Sequence, residues 1–236
     1  SRTWLSWQLP IVTVGSHSGA RMGLESLLSH ETVQTDVAII LEPVYESLSL
    51  WADLADVLSL RIADQDGADD SVELRERLGR ILVEELARGE DAMTVYGALL
   101  EGAPESKAYL NTLSELAENT GQWAEFTKIL ERVVAEVANA DDRIRLLRIA
   151  GQNYETHQNL PAMAVDAYRR IVEDEPNHAL ALEALERLYF ATEQWTDLLE
   201  IYRVQLNNIE TPADRLNKRF QMAQLLEEFL SDPHAA

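Results

Sequence analysis

Apolar residues recur at intervals of three and four from about residue 36 onward, the pattern of helices that bury one face. Short polar breaks such as Gly89-Glu90-Asp91 interrupt this pattern and separate helices that pair as antiparallel hairpins. The spacing therefore predicts an all-α fold. The predicted hairpins span residues 36–63, 71–101, 106–138, 141–174 and 178–208, and a lone helix follows from 212 to about 230.

Three of the five Trp residues, Trp51, Trp123 and Trp195, lie seventy-two residues apart. Other residues coincide under the same shift, and each unit of this length holds two predicted hairpins. The chain is therefore an array of repeats in which each unit packs on its neighbours. The coinciding pairs include Gly79 with Gly151, Ala92 with Ala164, Tyr96 with Tyr168 and Pro104 with Pro176.

Local signals refine the helix boundaries. Each repeated Trp opens the second helix of a predicted hairpin, where its ring can fill the junction with the neighbouring hairpin. A ladder of exposed Trp rings for ligand stacking is the alternative. Thr211 before Pro212 predicts a capped helix start, and Asn159 shortly before Pro161 predicts another.

The repeat resembles the tetratricopeptide repeat, a helical hairpin of about 34 residues with the pattern W-x-x-L-G-x-x-Y, A-x-x-x-F and P. The resemblance covers about residues 20–230 and implies a right-handed α-solenoid of stacked hairpins. The alternate hairpins fit less well, because Glu186 stands where the small Gly is expected. The matching residues are Leu147, Ala150, Gly151, Tyr154, Ala164, Tyr168 and Pro176, and in the earlier copy Leu78, Gly79, Leu82, Ala92, Tyr96 and Pro104.

The same resemblance implies a concave groove lined by the first helix of each hairpin. Its side chains form a mixed polar surface, suited to a peptide or helix rather than to a cofactor. It lacks the consistent Lys and Asn set of family members that clamp a C-terminal carboxylate. The residues expected to line this partner-binding groove are Glu76, Arg80, Asn111, Glu115, Arg148, Gln152, Glu183 and Arg187.

Residues 1–19 break the repeat pattern and form an atypical segment that is predicted to be strand or loop. The alternative that this segment does not belong to the natural protein stays open. Residues 20–236 are predicted to form a single repeat domain. Residues 20–28 align with 92–100, the second helix of a hairpin, so the chain reads as a segment of a longer array.

The net charge of -21 comes from 41 acidic and 20 basic residues. Nucleic-acid binding needs Lys and Arg to neutralise phosphates, so this balance argues against DNA or RNA partners and allows basic ones. No apolar run is long enough to span a membrane. With no Cys to report on redox environment, both cytoplasm and periplasm remain open.

Candidate chemistry is sparse, and no catalytic, cofactor-binding or metal-binding residues are predicted. Ser18 follows an apolar stretch but lacks the flanking Gly residues of a nucleophile elbow. Residues 64–70, DQDGADD, miss the ligand register of a calcium-binding loop. The His residues, which show no metal-ligand spacing and are expected on the surface or as loop caps, are His17, His30, His157, His178 and His234.

A regular repeat without catalytic groups favours a non-enzymatic scaffold or adaptor that binds another protein, within a larger assembly. Two alternatives stay open: an acidic chaperone or sequestering protein for basic partners, and an accessory subunit of an enzyme complex. The salt dependence of binding separates the scaffold from the acidic sequestering protein. Charge-led binding weakens steeply with ionic strength, whereas groove recognition persists at about 0.5 M salt.

Overall fold

A computed structural model describes residues 17–64 and 70–229, and these residues form helices joined by short turns. The predicted all-α array of antiparallel hairpins is confirmed, with helix ends within a few residues of those predicted. The helices are α1 (His17–Leu27), α2 (Gln34–Ser47), α3 (Trp51–Asp64), α4 (Asp70–Glu84), α5 (Gly89–Gly102), α6 (Lys107–Thr120), α7 (Trp123–Glu136), α8 (Ala140–Thr156), α9 (Pro161–Asp174), α10 (Ala179–Ala191), α11 (Trp195–Asn208) and α12 (Pro212–Glu228).

The chain divides into two compact units, residues 1–99 and 100–236. In the first unit α1 packs on α2, α2 on α3 and α3 on α4. In the second, each helix from α6 to α12 packs on the next along the chain. The single-domain expectation for residues 20–236 stays a prediction. Most of the atypical 1–19 segment lies outside the described residues, but α1 already begins at His17, so residues 17–19 are helical rather than strand or loop.

Each helix buries the face that its apolar spacing marks out. In α7 the buried residues include Phe126, Ile129, Leu130, Val133 and Val134, at alternating steps of three and one. These five side chains are 3% exposed or less, because they lie between α6 and α8. Burial of this stripe, rather than helix propensity, holds so short a helix in place.

Each hairpin turn contains one residue with left-handed backbone geometry, at the same point of each repeat. Ser49, Gly121 and Glu193 have φ of 54°, 72° and 59°, and Ala87 and Asn159 have φ of 51° and 53°. Each set is spaced by seventy-two residues, although only one of the five is Gly. Turn geometry is therefore imposed by the repeat and not by residue type.

The helix starts test the predicted caps. Thr211 is confirmed, because its Oγ1 accepts a hydrogen bond from the Asp214 amide at 3.2 Å. The prediction for Asn159 was wrong: Leu160 is the residue before α9 and no side chain caps it. Asn159 instead takes the left-handed position of the turn, which lets the Leu160 amide donate to the Tyr154 carbonyl at 2.8 Å.

The paired Gly and Tyr residues mark the closest approach within two hairpins. A Cβ atom on Gly79 would lie 2.8 Å from the ring of Tyr96, and one on Gly151 would lie 2.8 Å from the ring of Tyr168. The Tyr of the second helix thus occupies the space that the Gly of the first helix leaves. This explains why both pairs recur at the repeat spacing.

In two of the alternate hairpins, those of α2 and α10, a carboxylate stands in the Gly register and links successive helices, whereas α6 carries Ser114 there. Glu42 of α2 is only 12% exposed and forms ion pairs with Arg61 of α3 and Arg77 of α4. Glu186 of α10 accepts from Gln205 of α11 at 2.8 Å and pairs with Lys218 of α12 at 3.3 Å. In these two hairpins the departure from the repeat pattern therefore replaces the Gly with a polar link between helices.

Candidate partner-binding surface

The eight residues predicted for the groove lie on the first helices of four hairpins. Glu76 and Arg80 lie on α4 in the first unit, and the other six lie on α6, α8 and α10 in the second. The two sets are described separately below.

A cavity of about 470 Å³ lies between α8 and α10. Four of the predicted residues line it: Arg148, Gln152, Glu183 and Arg187. Leu180 also lines it and is 60% exposed, so an apolar side chain faces solvent among these polar ones.

A second cavity, of about 490 Å³, lies between α6 and α8. The predicted residue Asn111 lines it, and it shares Arg148, Gln152 and Thr156 with the first cavity. The two cavities are therefore adjacent stretches of one surface, called here the first-helix cleft. Glu115 is exposed on α6 and lines neither cavity.

A hydrogen-bonded network fixes one wall of the α8–α10 cavity. Glu155 accepts from both terminal nitrogens of Arg187, at 2.5 and 3.0 Å, and from the Tyr168 hydroxyl at 3.0 Å. This two-point pairing is the strongest geometry open to an Arg and a carboxylate. Arg187 is thus held by an internal partner, although its side chain remains 62% exposed.

The protonation states of this network follow from its surroundings. Burial raises the pKa of Tyr168 well above its usual value, and the neighbouring Glu155 carboxylate raises it further. The hydrogen bond that Arg187 donates to the Glu155 carboxylate raises the pKa of Arg187. Tyr168 therefore stays a neutral hydroxyl donor and Arg187 a cation throughout the physiological range.

Arg148 lies at the centre of the cleft, since it lines both cavities. Its Nη1 donates to Gln152 Oε1 at 3.3 Å, one turn along the same helix. No ion pair to Arg148 occurs among the described residues. This guanidinium therefore keeps most of its donors for a ligand and, unlike that of Arg187, has no carboxylate partner among the described residues.

Aromatic rings close the α6–α8 cavity on one side. Trp123 stacks on His157, with ring centroids 3.6 Å apart and planes inclined by 12°. Trp195 stacks on Phe229 at the equivalent point of the next repeat, with centroids 4.1 Å apart. These contacts join consecutive hairpins and confirm the packing interpretation for Trp123 and Trp195.

The predicted residues of the first unit line a separate cavity of about 470 Å³. Glu76 and Arg80 lie there beside Trp51 and several other Glu side chains. Burial raises the pKa of the nearby Tyr96, while Arg80 opposes this shift.

The weaker chemical candidates gain no support. Ser18 is helical, whereas a nucleophile elbow needs a turn between strand and helix. Residues 65–69 of the acidic stretch and His234 lie outside the described residues. His178 is a loop cap as expected, because its Nδ1 accepts from the Ala181 amide at 3.2 Å.

Two absences hold for the described parts of the chain. Across residues 17–64 and 70–229, no three His, Asp or Glu side chains are grouped so that they could hold a metal ion. No helix within those ranges combines the length and apolar character needed to cross a membrane.

Sequence reasoning missed the residues that organise the cleft from within. Glu155 was not singled out, because its partners Arg187 and Tyr168 lie on other helices. Asn153 lines the α6–α8 cavity and is 6% exposed, and it too was missed. A visible signal existed for Asn153, since the same register of α6 and α10 holds Leu116 and Leu188.

Comparison with known proteins gives likenesses in structure only. No protein-family model matches the sequence, and a search of curated proteins gives no match. Similar solved structures include a tetratricopeptide repeat protein from Parabacteroides merdae (12% identity, TM-score 0.38, covering 84% of this chain and 77% of that one). Pseudomonas aeruginosa pilF is 13% identical (TM-score 0.40, 87% and 89% covered), as is the C-terminal part of a tetratricopeptide repeat-containing protein from Cytophaga hutchinsonii (TM-score 0.37, 92% and 91% covered).

Proposed function

We propose that the chain is a non-enzymatic scaffold whose first-helix cleft binds a peptide segment of a partner protein. The observation that carries the proposal is the continuity of the cleft: two adjacent cavities share Arg148, Gln152 and Thr156 along α8. A continuous cleft lined by both polar and apolar side chains suits an extended or helical segment.

The charges of the cleft support a partner held by specific polar contacts. Arg148 offers unpaired donors, Glu183 is an exposed acceptor, and Leu180 adds an apolar contact in the same cavity. Arg187 is fixed by Glu155, so it presents its remaining donors in a preset orientation. Preset donors lose little side-chain entropy on binding, which favours affinity.

A partner-independent experiment tests the proposal. Peptides of about twelve residues are selected from a random phage-displayed library against the whole chain, and their affinities are measured by titration calorimetry. In the Arg148→Glu/Arg187→Glu variant we expect at least a tenfold loss of affinity, about 1.4 kcal/mol, because two donors become repulsive acceptors. Arg148→Glu alone and Arg187→Gln serve as milder variants that avoid placing Glu beside Glu155.

The matched control is Arg132→Glu/Arg203→Glu, which changes the charge by the same amount on the second helices α7 and α11. Both side chains are exposed, at 59% and 54%, and each forms an exposed ion pair. Affinity within twofold of the parent is expected for this control. Equal losses in the two double variants would show charge-led binding, and no loss in either would place the peptide elsewhere. Either result contradicts the proposal.

A further inference from the structure

The side-chain nitrogen of Asn153 is buried and unpaired within the part of the chain that the structure describes. Its side chain is 6% exposed, and its Nδ2 has no partner among the described residues. The main chain of Asn153 is engaged, since its carbonyl accepts from the amides of His157 and Gln158 at 3.1 and 3.2 Å. Buried polar groups are nearly always paired, so this one requires a reason.

Packing does not supply that reason. The equivalent register of every other described first helix holds an apolar residue, so the fold accepts an apolar side chain there. An amide at this point of α8 lowers stability without serving the helix or its neighbours. The equivalent residues are Val44 in α2, Ile81 in α4, Leu116 in α6, Leu188 in α10 and Leu225 in α12.

The surroundings of Asn153 indicate what it could bind. It lines the α6–α8 cavity together with Leu110, Phe126 and the stacked Trp123. Polar side chains such as Ser114 and Gln152 line the same cavity, so its mixed lining favours a ligand with an acceptor oxygen beside an apolar group. A peptide has this chemistry at every apolar residue, because each main-chain carbonyl is an obligatory acceptor.

We propose that the Asn153 amide donates to a main-chain carbonyl of the partner peptide, whose neighbouring apolar side chain enters the α6–α8 cavity. This inference rests on the proposed function and names one subsite within the cleft. It makes Asn153 a positioning contact that sets the register of the peptide, while Arg148 lines both cavities and Arg187 acts further along the cleft.

The test uses a selected peptide as the probe and Asn153→Leu as the variant, which restores the residue of the neighbouring repeats. We expect at least a tenfold weaker affinity, together with a melting temperature about 2–4 °C higher, since a buried unpaired amide is replaced by an apolar side chain. Asn153→Asp, which lacks the donor but keeps the shape, is expected to weaken binding as well.

Chemical modification of the peptide, combined with the Asn153→Leu variant, locates the contact. Each peptide carbonyl is replaced in turn by a thioamide, whose sulfur accepts hydrogen bonds poorly. One position is expected to lose affinity with the parent protein and to show no further loss with Asn153→Leu. Thioamide losses that are the same in both proteins would show that the amide contacts no carbonyl.

The outcomes separate this inference from the proposed function. If Arg148→Glu/Arg187→Glu abolishes binding while Asn153→Leu keeps it within twofold, the cleft binds the peptide and the Asn153 contact is refuted. If neither variant changes the affinity, both proposals fail. A higher melting temperature with unchanged affinity would mean that the amide holds only water, which also overturns the inference.

Discussion

The indole ring of Trp123 lies parallel to the imidazole ring of His157, with centroids 3.6 Å apart. Trp123 opens α7, and His157 is the capping residue directly after α8, so the stack joins one hairpin to the next. The Trp195–Phe229 stack occupies the same point of the following repeat. At the corresponding point of the first unit, Trp51 and Glu85 line one cavity, and no ring stack on Trp51 occurs among the described residues.

A double-mutant cycle should measure this difference. Trp123→Ala and His157→Ala are expected to couple by about 0.5–1.5 kcal/mol in urea unfolding, the range of aromatic pairs. The control is the cycle of Trp51→Ala with Glu85→Ala, for which coupling near zero is expected. Equal coupling in the two cycles would show that the stack contributes nothing specific.

Substitution of Gly151 tests the close approach of α8 and α9. Gly151→Ala should lower the free energy of unfolding by roughly 1–2 kcal/mol, because overpacking against Tyr168 outweighs the gain in helix propensity. Tyr168 cannot easily move away, since it is 4% exposed and its hydroxyl is held by Glu155. Denaturant unfolding at neutral pH gives the measurement.

The control for Gly151 is Gly23→Ala in α1, where an added Cβ meets no atom within 4 Å. This change should stabilise the protein by up to about 1 kcal/mol through helix propensity alone. In a Tyr168→Leu background, Gly151→Ala should become neutral or stabilising. A destabilisation that persists there would assign the effect to something other than the Tyr ring.

Substitutions at two of the left-handed turn residues, Gly121 and Ala87, should change the free energy of unfolding in opposite directions. Gly121→Ala should cost about 1 kcal/mol of unfolding free energy, because φ of 72° is unfavourable for Ala. Ala87→Gly should add a few tenths to about 1 kcal/mol, since Ala87 already carries φ of 51°. Thermal and urea unfolding of the two variants give the comparison.

Ala98→Gly is the matched control for Ala87→Gly, because Ala98 is exposed in the interior of α5. There the change should cost about 1 kcal/mol. If both substitutions destabilised the protein equally, the turn would not be under the backbone strain inferred from its φ.

High pH should unfold the protein through its buried tyrosines. Burial raises the pKa of Tyr45 to about 12, with Glu25 adding to the shift, and burial also raises the pKa of Tyr154 and Tyr189. A raised folded-state pKa contributes stability below the unfolded-state value, about 10, that is lost as pH rises through the folded value. The urea midpoint should therefore fall steadily from about pH 10 to about pH 12.

Tyr45→Phe provides the control for this loss. Without the Tyr45 hydroxyl, the fall of the urea midpoint above about pH 10 should be shallower, while the midpoint near neutral pH changes little. Absorbance of tyrosinate during the same titration shows whether ionisation accompanies unfolding. Ionisation of all tyrosines near pH 10 in a still-folded protein would contradict the assignment.

The sequence predicted the helices well because their burial is one-sided. Residues such as Leu78 and Leu82 mark a single face, and the polar breaks mark the turns, so helix bounds followed from spacing alone. The repeat interval then located the three Trp residues at helix starts. The prediction that Asn159 caps α9 was wrong because Asn is common both as a helix cap and as a left-handed turn residue. The sequence does not distinguish these two roles, whereas the backbone φ does.

The cleft was only partly predictable. Asn111, Arg148 and Gln152 follow from their register on the first helices, but the pairing of Arg187 with Glu155 spans 32 residues and depends on how α8 and α10 pack. No local pattern reports such a pair. Asn153 is different, because comparing repeats column by column exposes one polar residue where the others are apolar.

Packing between consecutive helices also sets how the chain reaches its fold. Within each unit the helices that contact one another adjoin in sequence, so forming each contact closes only a short loop. Such low contact order is associated with rapid folding, and it lets structure start at one hairpin and spread to the next. The same locality means that a fault in one hairpin need not halt assembly elsewhere, so partly folded intermediates should be populated more readily than in a domain with a shared core.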